Sequence, residues 1–335
     1  MIGIGIVGYG YWGPNLVRNF SRLTNARITW VCDIDQKLLA DVPRLYPTIQ
    51  TTAVFDDLLK DPDTHAVVIA TPVSTHFPLG HLALKAGKHL FIEKPMTMTV
   101  KDARFLTKLA RKKRRILMVD HTFVHTPAVE KIKEILRSKT LGTLQYIDCV
   151  RTNLGLLQKD TNVIYDLAPH DFGVLHYLLG RNPTSISATG ASPHNTGQEE
   201  VAHISAQYGK NLFVHSHVSW LSPIKIRTMI FVGTEKMLLY DDMESSEKIK
   251  IYDKSVSVTK NPKLLRQLRI GYRTGEMVSP HIPVAEGLAG ATLAFVKAIE
   301  TKKAPASDGR AGTDVVGVIE AATKSLRQKG KSIRV

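Results

Sequence analysis

Ile2-Gly3-Ile4-Gly5-Ile6-Val7-Gly8-Tyr9-Gly10-Tyr11-Trp12-Gly13 decides how this chain is read. An apolar run enters a loop with glycines at G-x-G-x-x-G spacing, and a helix-like stretch, Gly13 to Leu23, leaves it. Strand before and helix after give such a pattern its meaning. Gly8 permits the tight turn, Gly10 lets a pyrophosphate approach the backbone, and Gly13 lets the helix pack closely on the strand. The helix N-terminus offers N–H groups to the phosphates. Tyr11 and Trp12 sit at that entry and count among the dinucleotide contacts. A glycine-rich turn with no ligand is the plainer alternative, and the flanking elements weigh against it.

Outward from this loop the chain alternates between two periods. Further apolar runs fall at Arg27 to Val31, His65 to Ala70, His89 to Ile92 and Ile116 to Val119. Helix-like stretches separate them at Val54 to Lys60, His76 to Ala86 and Val100 to Arg111. Such alternation predicts an α/β, Rossmann-like, doubly wound parallel sheet over residues 1–122. Asp33 closes the second run, 20 residues after Gly13. A carboxylate there accepts from a ribose 2′-hydroxyl and repels a 2′-phosphate, which favours NAD over NADP. Asp35 reads as a solvated loop residue.

In an open parallel sheet, ligands lie outside the carboxyl ends of the strands. Two loops start there: Thr71-Pro72-Val73-Ser74-Thr75-His76 and Glu93-Lys94-Pro95. Thr71, Pro72, Thr75, His76, Glu93 and Lys94 are therefore candidate cofactor contacts. Capping of the following helix is a sufficient structural reason for Thr75. Lys94, fixed between a buried strand and a proline, is held at the ligand edge.

Residues 123–335 read differently. A helix pattern, Ala128 to Leu136, leads to a strand at Thr143 to Val150 and a helix at Asp166 to Leu179. Successive strands follow to Tyr252, with turns at Gly209-Lys210-Asn211 and Gly233-Thr234-Glu235. This predicts a large, mostly antiparallel, open sheet in a substrate-binding and oligomerisation domain. Residues 253–282 carry no clear pattern. Two helices near the end, one with Leu288, Ala291, Phe295 and Ile299 on one face, are candidates to pack back on the first domain. Pro169 suggests a helix beginning near Asp166. Asp166 and His170, four apart, then share a face, where a carboxylate can orient an imidazole that exchanges protons near neutral pH. Asp166 as a simple N-cap is the plainer reading, but it leaves His170 unexplained.

Composition narrows the classes. In 335 residues, 43% are hydrophobic and 22% charged, which is ordinary for a globular chain of two domains. No apolar run is long enough to span a bilayer, and the apolar start lacks a basic leader, so it reads as a buried strand. Cys32 and Cys149 fall in apolar runs far apart, pointing to buried thiols in a reducing cytoplasm. The net charge of +15 raises nucleic-acid binding, with Arg111-Lys112-Lys113-Arg114-Arg115 as a patch. That run lies where a helix ends, where cations complement the dipole, and no nucleic-acid motif accompanies it. The charge also suits an anionic substrate. His215 and His217 alternate on one strand, but no third metal ligand is evident in sequence, so a half-buried sheet face is the reading there and no metal is expected.

The ordered set Gly8-x-Gly10-x-x-Gly13, Thr71-Pro72-x-x-Thr75-His76, Glu93-Lys94-Pro95 and Asp166-x-x-x-His170 resembles the Gfo/Idh/MocA oxidoreductases over nearly the whole chain. The resemblance implies NAD as cofactor and an open sheet that packs against another subunit of a homodimer or homotetramer. It also implies Lys94, Asp166 and His170 as the catalytic trio, oxidising or reducing a sugar, cyclitol or nucleotide-linked sugar. Arg151-Thr152-Asn153-Leu154-Gly155 and the Asp166 to Asp171 segment look most like a subset acting on nucleotide sugars, which implies oxidation at C3 of a UDP-linked N-acetylhexosamine, with Asn153 as a substrate contact. A turn role would serve Asn153 equally well. Alternatives are a cyclitol or free-sugar dehydrogenase, a keto-sugar reductase, and, in another class, a non-catalytic NAD-binding regulator. The last would not need Lys94, Asp166 and His170 together.

Overall fold

The computed structural model of the chain describes residues 1–155, 157, 161–258 and 270–335, with backbone only for 257, 258 and 270–273. The first element, β1 (Ile2–Val7), passes through the glycine loop into α1 (Gly13–Ser21). Then come β2 (Ala26–Cys32), α2 (Gln36–Leu39), α3 (Val42–Leu45), β3 (Gln50–Thr52), α4 (Phe55–Lys60), β4 (Ala66–Ile69), α5 (His76–Lys85), β5 (His89–Ile92), α6 (Val100–Lys113) and β6 (Leu117–Val119). The six strands form one parallel sheet in the order β3-β2-β1-β4-β5-β6. β3 carries little apolar signal, and it and the short helices α2 and α3 are not visible in the sequence pattern. Their residues are mostly exposed.

The chain continues through α7 (Pro127–Arg137), β7 (Leu144–Leu154), α8 (Val163–Leu179), β8 (Ser185–Ala191), β9 (Val201–Tyr208), β10 (Leu212–Ser219), β11 (Leu221–Gly233), β12 (Met237–Asp241), β13 (Ile249–Val258) and β14 (Ile270–Val278). It ends with α9 (Gly287–Thr301), α10 (Gly309–Arg327) and β15 (Ile333–Arg334). A second sheet has nine strands, β14-β13-β12-β11-β7-β10-β9-β8-β15, antiparallel except where β7 and β10 run parallel. The patternless region 253–282 thus supplies most of two strands, while residues 259–269 lie outside the described ones.

Two compact units result: residues 1–126, 172–177 and 285–320, and residues 127–171, 178–284 and 321–335. In the first, α9 lays Leu288, Ala291, Phe295 and Val296 into the core that contains Ile4, Phe20 and Phe91. Phe20, Phe91 and Phe295 meet edge to face, with centroids 5.3 to 6.3 Å apart. Ile299, at the end of the predicted stripe, is only partly buried.

In the second unit the nine-stranded sheet buries alternate residues, as the patterns of β9 and β10 require. Its other face carries Tyr146 stacked on Phe213, with Ile230 exposed nearby in the β11 ladder. Beside them His203 stacks on His217 at 4.4 Å and on His215 at 5.5 Å, and His215 Nδ1 lies 2.7 Å from Asp148. Among the described residues no group of His, Cys, Asp or Glu is arranged to hold a metal ion. None of their helices is long and apolar enough to cross a membrane.

One helix boundary differs from the sequence reading. α8 begins at Val163, not Asp166, and Pro169 lies inside it. The cap is Asn162, whose Oδ1 accepts from Tyr165 N at 3.2 Å. Proline inside a helix forfeits a backbone bond and crowds the carbonyl four residues back. Packing outweighs that cost here, since Val163, Ile164, Ala168 and Phe172 are all nearly fully buried.

Replacing Phe295 with alanine removes the centre of the three-ring cluster. The loss expected in urea unfolding at neutral pH is about 3 to 5 kcal/mol.

Candidate active site

The glycines of the first loop divide by what holds them. Gly8 has φ +94° and a Cβ there would lie 2.5 Å from the Ala70 carbonyl oxygen. A Cβ on Gly13 would lie 2.2 Å from the Gly8 oxygen. The fold itself demands both glycines. A Cβ on Gly10 would meet nothing within 4 Å. Nothing among the described residues fills that space, which fits a pyrophosphate approaching the backbone. Trp12 precedes α1 without capping it by a side-chain bond, leaving the helix N-terminus for an anion. Tyr11 is 90% exposed, and its ring stacks on Trp12 at 6.4 Å.

Asp33 follows β2 and accepts two backbone bonds, from Tyr9 N at 2.6 Å and from Asp35 N at 2.9 Å. It therefore braces the glycine loop, a role the spacing alone does not reveal. Each oxygen has a further lone pair for a ribose hydroxyl. Asp35 caps α2, accepting from Lys37 N at 2.9 Å.

The two later loops are joined by His76. Its Nε2 lies 2.8 Å from Thr71 O and its Nδ1 3.0 Å from Pro95 O, and the ring is buried. Burial holds this imidazole below its usual range, despite the carbonyls that favour its cation. His76 thus ties one candidate loop to the other. Thr75 does not cap α5 through its side chain. Its hydroxyl instead donates to Pro72 O at 2.7 Å and meets Thr71 Oγ1 at 2.6 Å, because Val73–Thr75 forms a tight 3₁₀ turn ahead of the helix.

Lys94 directly follows Glu93, which is bonded through its backbone N to Ile69 O at 2.9 Å, one step beyond the β4–β5 ladder. The Lys94–Pro95 peptide is cis. The first unit thus gathers Gly8, Gly10, Tyr11, Trp12, Gly13, Asp33, Thr71, Pro72, Thr75, His76, Glu93 and Lys94 at the loops leaving the carboxyl edge of its sheet.

The second unit holds Asn153, Asp166 and His170. Trp220 organises the region of Asp166. Its Nε1 donates to Asp166 Oδ2 at 2.9 Å, and its ring lies against Gly155, where a Cβ would be 2.5 Å from Trp220 Cδ1 and 3.2 Å from Asn153 Nδ2. Asp166 thus holds the indole N–H, Asn153 lies beside the Gly155 on which the ring rests, and His170 stands a turn beyond Asp166 on α8. Next to His170, Asp171 receives Arg151 Nε and Nη2, both at 2.8 Å, with the pair almost fully buried. Burial pushes the Asp171 carboxyl above its usual range against the pull of Arg151. This pair pins the helix carrying His170 to β7. Sequence reasoning missed both Trp220 and the ion pair. The available signal was a cation, Arg151, at the end of a run whose alternate residues are buried.

Gly10→Ala tests the cradle. The melting temperature is expected to stay within about 2 °C of the parent, as nothing clashes, while NAD affinity by calorimetry falls at least about tenfold. Gly13→Ala is expected to lower the melting temperature itself.

Comparison with known proteins agrees with this geometry. Residues 2–121 match the family described as "Oxidoreductase family, NAD-binding Rossmann fold", and residues 129–239 match the "GFO/IDH/MocA C-terminal domain". The chain is 28% identical over 205 residues to an uncharacterized oxidoreductase, YrbE, of Bacillus subtilis, covering 60% of each chain. It is 29% identical over 194 residues to the UDP-N-acetylglucosamine 3-dehydrogenase of Acidithiobacillus ferrooxidans, covering 56% of this chain and 58% of that protein. The chain thus spans under two thirds of the length of these curated relatives. In fold it is similar to the solved structure of that 3-dehydrogenase, GnnA, with TM-score 0.81 and 22% identity over 98% of this chain and 99% of that one. A glycine cradle on a parallel sheet, followed by a matching C-terminal domain, places the chain in the Gfo/Idh/MocA oxidoreductase family.

Proposed function

We propose that the protein is an NAD-dependent dehydrogenase of a secondary alcohol on a sugar, with a UDP-linked N-acetylhexosamine oxidised at C3 as the leading substrate. The observation that carries the reading is Lys94, which the chain sets at the carboxyl edge of a sheet whose glycine loop leaves an open space at Gly10. Similarity to a UDP-N-acetylglucosamine 3-dehydrogenase supports the substrate class. The strongly basic composition suits a diphosphate-bearing ligand.

Bound NAD supplies the hydride acceptor for the carbinol C–H. Gly8, Gly10, Gly13 and the N-terminus of α1 hold its pyrophosphate, and Asp33 its adenine-side ribose. His170 removes the hydroxyl proton as the C–H electron pair leaves, so that the product is a ketone and the proton rests on the imidazole. Asp166, held by Trp220, sets the orientation of that ring. The Lys94 ammonium stabilises charge on the carbinol oxygen, the kind of preorganised help that usually counts most. Asn153 contacts the sugar. The open sheet face, with Tyr146, Phe213 and Ile230 beside the histidine cluster, is where a second copy packs. The buried thiols of Cys32 and Cys149 suit a reducing, cytoplasmic setting.

Lys94→Ala and His170→Ala are each expected to lower turnover at least about a hundredfold, with NAD binding nearly kept. NADH formation with a panel of UDP-sugars, free sugars and cyclitols checks this. Full activity in either variant, or turnover confined to free polyols, overturns the corresponding part of the reading.

A further inference from the structure

Glu93 and Asp120 are the first residues after β5 and β6, which are neighbours in the parallel sheet and aligned Ile92 to Val119. Asp120 N donates to Ile92 O at 2.8 Å, extending that ladder by a step and bringing the two carboxyls together at the sheet's edge. Asp120 is 1% exposed. Glu93 as a residue is half-buried, but its Oε1 is enclosed, as is Asp120 Oδ2. Neither oxygen finds a donor among the described groups while both carboxyls are ionised.

Two carboxylates in contact away from water cannot both stay charged, and a single shared proton supplies the missing donor. The surroundings decide which group keeps the charge. Asp120 accepts from Thr122 Oγ1 at 2.8 Å. The Trp12 indole N–H, which meets no acceptor at full hydrogen-bond geometry, is directed at it as well and favours its anion. Glu93 has the weaker bond from Lys94 N, 3.2 Å to Oε2. Burial, then the Asp120 charge, pushes Glu93 well up, whereas burial raises Asp120 against three hydrogen bonds and the Lys94 ammonium. The other titratable groups nearby are imidazoles. His76 is tied to two carbonyls, and burial pushes His121 down to about 3, with His176, His125 and Lys94 adding to that. Neither His76 nor His121 supplies a competing cation at neutral pH. Lys94 is the cation whose field reaches both carboxyls.

We propose that Glu93 and Asp120 share one proton, with Asp120 the charged member, and that this fixed negative charge lies behind Lys94 as a positioning element that commits the lysine to stabilising the substrate oxygen and leaves proton removal to His170. The inference rests on the catalytic role of Lys94 proposed above. Asp120 acts through Lys94 and needs no contact with substrate. It also links the glycine loop, through Trp12, to the lysine loop.

Infrared spectroscopy of the intact protein at pH 7 tests the shared proton directly. The wild type is expected to show one carbonyl band of a protonated carboxylic acid, lost in Glu93→Gln. Its absence from the wild type overturns the proposal without any variant having to fold. The charge is tested by the pH dependence of kcat/KM. In Glu93→Gln the amide still donates to Asp120, so the alkaline limb is expected to stay in place whatever the amplitude. In Asp120→Asn alone the repulsion that keeps Glu93 protonated is gone, so Glu93 takes the charge and the pair stays singly negative. The amide pair Glu93→Gln/Asp120→Asn, matched in shape, removes the charge altogether, and in it the limb is expected to move down by at least about one pH unit. An unmoved limb in the charge-free variant overturns the proposal. Lys94→Ala separates the two readings. If that variant stays active, the catalytic assignment has failed. If it is inactive while the charge-free variant keeps the wild-type profile, only the carboxyl-pair inference has failed.

Discussion

The register of the parallel ladder from β2 through β1, β4 and β5 to β6 is the constraint on which the candidate site rests. Each strand's last residues hydrogen-bond to the next, and the chain carries the pattern one residue further at Gly8, Glu93 and Asp120. The glycine loop, the lysine loop and the buried aspartate are thereby fixed to one edge by backbone bonds alone. Side chains then finish the job. His76 ties the Thr71 loop to Pro95, and Asp33 braces Tyr9. A slip of a single residue in β5 would turn Glu93 to the opposite face, and one in β2 would do the same to Asp33, so the apolar packing that sets register also sets chemistry.

The second unit uses a different device. A helix is anchored to a sheet through one buried ion pair, Arg151 with Asp171, at the residue next to His170. Such a pair adds little net stability, because desolvation offsets the attraction, but removing one partner strands a charge in the interior. Its value lies in allowing one register of α8 against β7. Trp220 extends this order by giving Asp166 a single orientation and filling the space beside Gly155.

Much of this was legible in the sequence. Gly8 and Gly13 announce the first turn because their spacing follows from sterics between one strand and one helix, while Gly10 marks the space for a ligand. The runs that became β1, β2, β4, β5 and β6 are apolar because both faces of a parallel sheet are covered. What escaped was set by tertiary context. β3 is too short and polar to show a period. Pro169 misplaced the start of α8, since the sequence does not reveal that Val163 and Ile164 are buried while Asn162 supplies the cap. Thr75 reads as a cap only until the 3₁₀ turn before it is known. Asp120 could have been noticed by the logic that picked out Asp33, an acid at the end of an apolar run. Its partner, however, lies 27 positions earlier in the chain, and adjacency across strands is not written in local pattern.

The double duty of Asp33 bears on how nucleotide preference could drift. A protein that came to prefer a 2′-phosphorylated dinucleotide would have to surrender the carboxylate that repels it. Here that same carboxylate also accepts the Tyr9 amide. Exchange of that one side chain would loosen the phosphate cradle along with its selectivity, so discrimination between the two coenzymes is entrenched by the architecture of the loop and would yield only to paired substitutions that rebuild the brace elsewhere.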